Sequence, residues 1–329
     1  MSKFLIIINV FFIFQCSSPK EIKSVSNDKP QVNLRSVKSE MHNPTRWDVG
    51  DTTVSNEDRL DLLIPHLKGV KGAYIGVGSE QNLTLAAWAD SEFIYLMDFT
   101  KIVVDSNKIS ILFLKEAETP EQFIFFWSKK GRESAKKLLQ EKLPEEKDLP
   151  KLYDKVSSFI QRRHSTNLKL SKIYNYPMFM TDQNLYSHIR KLAVEDKIFP
   201  VQGNLLGKET FYEIGTVLKK NNLNLGILYM SNAEEYFKYN DHFRNSINNL
   251  PSDPSSVVIR TISVRRDLFP WSPGSDYSTQ IGFHYAVQKL DNFKKWMGLN
   301  RSNLSSLNIL MEGGDTDKTH GLTIVKKDP

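Results

Sequence analysis

The sequence predicts an α/β fold, a doubly wound and mainly parallel sheet with a helical insertion. Short runs of unbroken apolar residues, such as Phe93–Met97, fit strands covered on both faces rather than strands with one wet side. These runs alternate with segments of helical period, and that alternation argues for crossovers onto one parallel sheet.

The elements follow in order. Leu60–Leu67 is a short amphipathic opening segment stopped near Pro65. Gly72–Gly78 reads as a strand ending in glycines, and Ser79 as the N-cap of a helix from Glu80 to Ala89. That helix is almost uniformly small or apolar, so it is expected to be buried against a sheet. Phe93–Met97 is the second strand, ending at Asp98, with a helical stretch running on through Leu114. Thr119-Pro120-Glu121-Gln122 supplies an N-cap, a first-turn proline and a glutamine three residues on, a strong helix start. The charged stretch 129–175, with prolines at 144 and 150, reads as an inserted helical excursion reaching to about residue 182. A helix at Leu185–Val194, a strand at Ile198–Gln202, a helix at Lys208–Lys220 and a strand at Leu225–Met230 follow. A short helix at Ala233–Phe237, a strand at Val257–Ile262 and a final strand at Gly282–Leu290, passing into a helix near Trp296, complete the pattern.

Upstream of the domain the chain changes character. Lys3 precedes an apolar run from Phe4 to Phe14, broken by Asn9 and ended by Gln15 and Cys16. One basic residue and about eleven apolar ones are the layout of a signal peptide over residues 1–15. A spanning helix needs about twenty. Cys16 is the sole cysteine, so it forms no internal disulfide. Its place before Ser17 and Ser18 resembles a bacterial lipoprotein processing site of the relaxed, spirochaete type, which implies acylation at Cys16. A plain secretory signal with a stray cysteine, or an uncleaved anchor, are the other readings. Residues 16–46 are rich in Ser, Lys, Asn and Gln without a sustained period, as in a disordered tether. The folded domain is expected to begin at Trp47 and run to residue 329.

Residues 1–46 hold seven Lys or Arg and three Asp or Glu; removing these from totals of 44 and 38 leaves 37 basic and 35 acidic residues. A domain so nearly neutral lacks the concentrated positive face of a nucleic-acid binder. Arg260, Arg265 and Arg266 form a local cluster that reads as a small anion-binding patch or a solvated strand edge. The seven histidines have no metal-ligand spacing, so no metal site is expected.

In open α/β sheets ligands bind at the carboxyl ends of the strands. There the sequence offers Gly76, Gly78, Ser79 and Gln81, then Asp98, then Gln202, Gly203 and Asn204, then Ser231, Asn232, Glu235 and Tyr236. Glycines admit a close ligand, a helix N-terminus offers unpaired N–H groups, and an acid ending the second strand can accept from ribose hydroxyls.

This arrangement resembles the class I S-adenosylmethionine methyltransferases, a Rossmann-like family, over residues 60–126 and 185–295. More narrowly, it is similar to a group of spirochaetal envelope lipoproteins with such a core. The resemblance implies S-adenosylmethionine or a related nucleoside as ligand. Gly76, Gly78, Ser79, Gln81, Asp98, Asn204, Ser231 and Asn232 would contact it, while Glu235, Tyr236 or His284 would orient or deprotonate a methyl acceptor. It also implies an outer-membrane location, the lipid anchor making the membrane contact. The chain departs from the family pattern at Tyr74, Glu80 and Asn204, which replace an acid, a glycine and an acid.

Each residue also has a plainer reading. Gly76 and Gly78 would make a tight turn, Asp98 would start a helix, Asn204 and Asn232 would cap or turn, and Tyr236 and His284 would pack. On that reading the domain is a catalytically inactive binding or interaction module with a macromolecular partner. Val264–Ile281, with Trp271, Pro273, Gly274 and Tyr277, would be a lid over the crevice or a partner-binding loop.

Overall fold

Strands form where the apolar runs lie. Ala73–Val77 (β1), Phe93–Asp98 (β2), Ile198–Gln202 (β3), Leu225–Tyr229 (β4), Val257–Ser263 (β5), Phe283–Lys289 (β6), Gly314–Asp317 (β7) and Leu322–Val325 (β8) make one sheet. Its order is β3-β2-β1-β4-β5-β6-β8-β7. Neighbours from β3 to β5 are parallel, β6 is antiparallel to β5, β8 is parallel to β6, and β7 returns antiparallel to β8. The fold is thus α/β with a mostly parallel sheet, compatible with a Rossmann-like architecture.

This is a computed structural model, described over residues 33–40, 50–264 and 282–329. The signal segment, Cys16, Trp47, Arg265 and Arg266, and the loop with Trp271, Pro273, Gly274 and Tyr277 lie outside the described residues. Within the stretch read as tether, residues 33–40 lie against the domain. Glu40 N donates to Gln202 O at 2.9 Å, and the Tyr95 hydroxyl to Leu34 O at 2.8 Å.

The helices are Ile64–Leu67 (α1), Gln81–Trp88 (α2), Lys101–Glu116 (α3), Pro120–Trp127 (α4), Arg132–Lys142 (α5), Leu149–Ile173 (α6), Gln183–Val194 (α7), Thr210–Lys220 (α8), Asp241–Asn249 (α9), Leu290–Met297 (α10) and Ser306–Gly313 (α11). None among the described residues is long and apolar enough to cross a membrane. Side chains alternate across each strand, so the sheet feeds two apolar layers. Tyr74, Ile94, Leu96, Ile227 and Tyr229 join the layer with α2, α3 and the insertion helices; Ile75, Tyr95, Met97 and Leu228 join the layer with α8–α11. Every residue of α2 is buried, as its all-round small and apolar sequence requires. The helix starts after Glu80 rather than at a Ser79 cap, and Glu80 makes no side-chain capping bond. Thr119 caps α4 by accepting from Gln122 N, as the sequence predicts. Three elements were not anticipated: α9, α11 and the β7–β8 hairpin.

His284 lies on β6, fully buried, its Nε2 2.7 Å from the Thr323 hydroxyl of β8. Burial lowers its pKa from 6.5 to about 4. The folded state therefore holds this imidazole neutral, while the unfolded chain protonates it below pH 6.5. Its contribution is fully present above that pH and is lost as pH falls toward 4, a difference on the order of 3 kcal/mol. His164, in α6, adds a slope of the same sign, lowered to about 3 by burial. Urea denaturation of His284→Gln from pH 7 to 4 should show a shallower loss of stability than the wild type. Parallel curves would remove His284 from the account.

Candidate functional site

The strand register decides what shares the carboxyl edge. Val77 pairs Met97, Asp98 pairs Gln202, and Gly76 pairs Tyr229. Gly78, Asp98, Gly203 and Ser231 therefore leave neighbouring parallel strands at one edge. Strand order reverses between β1 and β4, the switch point where open sheets of this kind bind ligands.

A buried carboxylate of the chain itself lies beside this point. Glu57, from the irregular segment before the 3₁₀ turn Leu60–Leu63, is 1% exposed. Its Oε1 accepts from the Ser231 hydroxyl at 2.8 Å and the Thr261 hydroxyl at 2.5 Å. Its Oε2 accepts from the Tyr229 hydroxyl and, at 3.2 Å, from Ser55. Four hydroxyl donors match the acceptor capacity of an ionised carboxylate. Burial raises the carboxyl, and the bonds from Thr261, Ser231 and Ser55, with the Arg163 charge, oppose that rise without cancelling it.

Arg163 reaches in from α6. Its Nη2 donates to Glu57 O at 2.7 Å, its Nη1 pairs Asp58 at 2.7 Å, and its Nε lies 3.8 Å from Glu80. Glu80 is thus turned inward toward a cation. The Ser79 hydroxyl lies 2.5 Å from Thr53 O and 2.6 Å from Glu80 Oε2. One hydroxyl proton cannot serve both acceptors. Burial raises the Glu80 carboxyl, and the Arg163 charge and the Ser79 bond oppose that rise.

The glycine turn is filled from within as well. A Cβ on Gly76 would stand 2.0 Å from Asn82 Oδ1 and 2.5 Å from the Tyr74 ring. Tyr74 donates to Asn82 Oδ1 at 2.7 Å, and Asn82 Nδ2 donates to Val77 O at 3.1 Å and Ser79 O at 2.9 Å. Asn107 Nδ2 from α3 takes Gly78 O at 3.0 Å. Gly78 has φ +94°, open to glycine alone at low cost. Two asparagine amides thus satisfy carbonyls of the turn. Gln81 is buried at the start of α2.

The other candidates find local partners. Asp98 Oδ1 accepts from Thr100 N at 2.9 Å and the Thr100 hydroxyl at 2.8 Å, opening α3. Asn204 Oδ1 accepts from Leu206 N at 2.9 Å within a turn. Asn232 heads the 3₁₀ turn Ala233–Tyr236, its Nδ2 3.5 Å from the Tyr236 hydroxyl. Tyr236 is exposed, and Glu235 accepts from Ser263 N at the end of β5. His284 is directed to Thr323 on β8. The structure therefore joins Ser79 and Ser231 through residues 53–57, while Asp98 and Asn204 serve their own turns.

Arg260 corrects an expectation. It is neither a surface patch nor a solvated edge but 1% exposed, 3.1 Å from Glu234 and 4.3 Å above the Phe293 ring, with Nη2 donating to Gln288 at 2.8 Å. Among residues that sequence reasoning missed, Glu57 gave no signal, its partners being remote in the chain. Arg163 gave one: it falls in line with the buried Tyr153, Val156, Ile160 and Asn167, at apolar spacing on α6. Among the described residues no three His, Cys, Asp or Glu converge as a metal site requires.

A double-mutant cycle separates a packed turn from a ligand cradle. Gly76→Ala should destabilise the protein by about 1–3 kcal/mol, and by at least about 1 kcal/mol less in an Asn82→Ala background. Equal costs in both backgrounds would deny Asn82 this role.

No curated protein matches the chain. The family model described as "Domain of unknown function (DUF7790)" matches residues 52–326, a span that includes Glu57, Arg163 and the whole sheet. The chain belongs to the DUF7790 family.

Proposed function

We propose that this protein is an exported lipoprotein, anchored through Cys16, whose methyltransferase-like domain acts as a binding module rather than a catalyst. The observation that carries this reading is the buried carboxylate beside the switch point. Glu57 and its four hydroxyl donors stand where a nucleoside ligand would be held, and Asn82 takes the room that Gly76 leaves. Fold alone does not carry chemistry. The lipid anchor would present the domain at the envelope surface, in the outer membrane, to a macromolecular or small-molecule partner.

A second reading, S-adenosylmethionine binding, draws on the same edge. Gly78, Asp98 and Ser231 leave adjacent strands side by side, as the methyltransferase resemblance expects. Binding there would have to displace Glu57 from its hydroxyl donors, leaving buried polar groups to find new partners.

Titration calorimetry with S-adenosylhomocysteine and S-adenosylmethionine decides between them. Flat traces at about millimolar ligand, corresponding to an affinity weaker than roughly −4 kcal/mol, are expected. Saturable heat would establish the second reading instead. Anchoring is tested apart from this: palmitate labelling in a bacterial host should be lost in Cys16→Ser, and a variant that still labels would exclude Cys16 as the acylated residue.

A further inference from the structure

A concavity lies away from the switch point, along the outer edge of β3. It has a volume of about 420 Å³, within the range of about 300–1,000 Å³ common for small-molecule sites. One wall is α3, which presents Lys108, Ile111, Leu112 and Lys115 at i, i+3, i+4 and i+7. That spacing puts all four on one face, the two lysines roughly 10 Å apart with apolar side chains between. The opposite wall is the segment with Leu34 and Val37, together with Phe199 and Val201 on that face of the sheet, and the edge of β3 at Ile198 lies between the two walls.

Charge is uneven along this groove. At one end Arg35 and Lys115 share a single carboxylate, Asp196, at 2.8 and 2.5 Å, leaving one positive charge uncompensated. At the other end Lys108 lies between Glu146 at 2.8 Å and Asp105 at 3.2 Å, and Asp105 also pairs with Lys101, so the charges there balance. An anion is therefore drawn to the Arg35 end.

The edge itself disfavours a peptide. Ile94 N–H bonds Lys197 O and Gly203 N–H bonds Asp98 O, so odd-numbered residues of β3 face β2 while Ile198, Pro200 and Gln202 turn their backbone groups outward. Pro200 brings no N–H, and Gln202 O is already bonded by Glu40. The donor row an added strand needs is interrupted.

We propose that this groove binds a single-chain anionic amphiphile of fatty-acid type. Its carboxylate lies at Arg35 and Lys115, and its chain lies along Ile111 and Leu112 over the edge of β3. The proposal rests on the domain being a binding module and names the ligand class it takes.

Calorimetry on the purified protein in detergent-free buffer, with carboxylates below their micelle concentration, tests it. Affinity should rise about fourfold per methylene from hexanoate to decanoate, then level once the chain exceeds the groove's length of roughly eight methylenes. Arg35→Gln, at an exposed position, with Lys115→Gln, at a half-buried one, should weaken decanoate about tenfold and leave decanol unchanged. Ile111→Trp should abolish both at an unchanged unfolding midpoint. No heat from any chain, equal affinity for decanoate and decanol in the wild type, or binding that survives Ile111→Trp would each overturn the proposal. So would sedimentation with anionic vesicles in the absence of decanoate binding. Heat from S-adenosylhomocysteine on the same sample would instead sink the binding-module reading and leave the decanoate result standing.

Discussion

A carboxylate taken out of water is tolerable only where donors surround it, and meeting that demand at Glu57 ties the molecule together. The donors come from β4 (Tyr229), the turn after it (Ser231), β5 (Thr261) and the opening segment itself (Ser55). Arg163 brings the insertion helix α6 onto the same segment. Three regions that a chain tracing would treat separately thus share one polar centre. Removing one hydroxyl donor from such a buried set typically costs about 1–3 kcal/mol, because the carboxylate is left short of a partner.

The strand β5 doubles this design. Consecutive residues point to opposite faces, so Arg260 meets Glu234 on one side while Thr261 meets Glu57 on the other. Both glutamates are buried, and burial raises both carboxyls. At this rim the sheet buries Glu57, Glu234 and Arg260.

Much of the fold was legible because parallel strands buried on both faces must be written as unbroken apolar runs. β1 to β4 carry such runs, whereas β5 is interrupted by Arg260 and Thr261 and β6 by His284 and Gln288. The β7–β8 hairpin was not legible, since Gly314–Asp317 is polar throughout and Leu322–Val325 spans four residues. Helix α9 hid for a related reason: Asp241–Asn249 is rich in Asn and Asp and reads as a loop until Phe243 and Ile247 are seen to be buried. The glycine turn and Asp98 were visible as a pattern, but their partners Asn82, Asn107 and Thr100 were not, because a pattern states which residues allow an approach and not what approaches. Glu57 is 172 residues from Tyr229 and 204 from Thr261, and no local period encodes such pairings.

The position of β8 bears on how the chain assembles. Among the described strands it is the last to be synthesised, yet it lies inside the sheet between β6 and β7, with its own buried Thr323 and Val325. Until it arrives, β6 presents a bare row of amides and carbonyls along its outer side, and β7 has no neighbour to zip against. Without β8 the outer side of β6 therefore stays open, and the sheet is completed there only when β8 docks between β6 and β7.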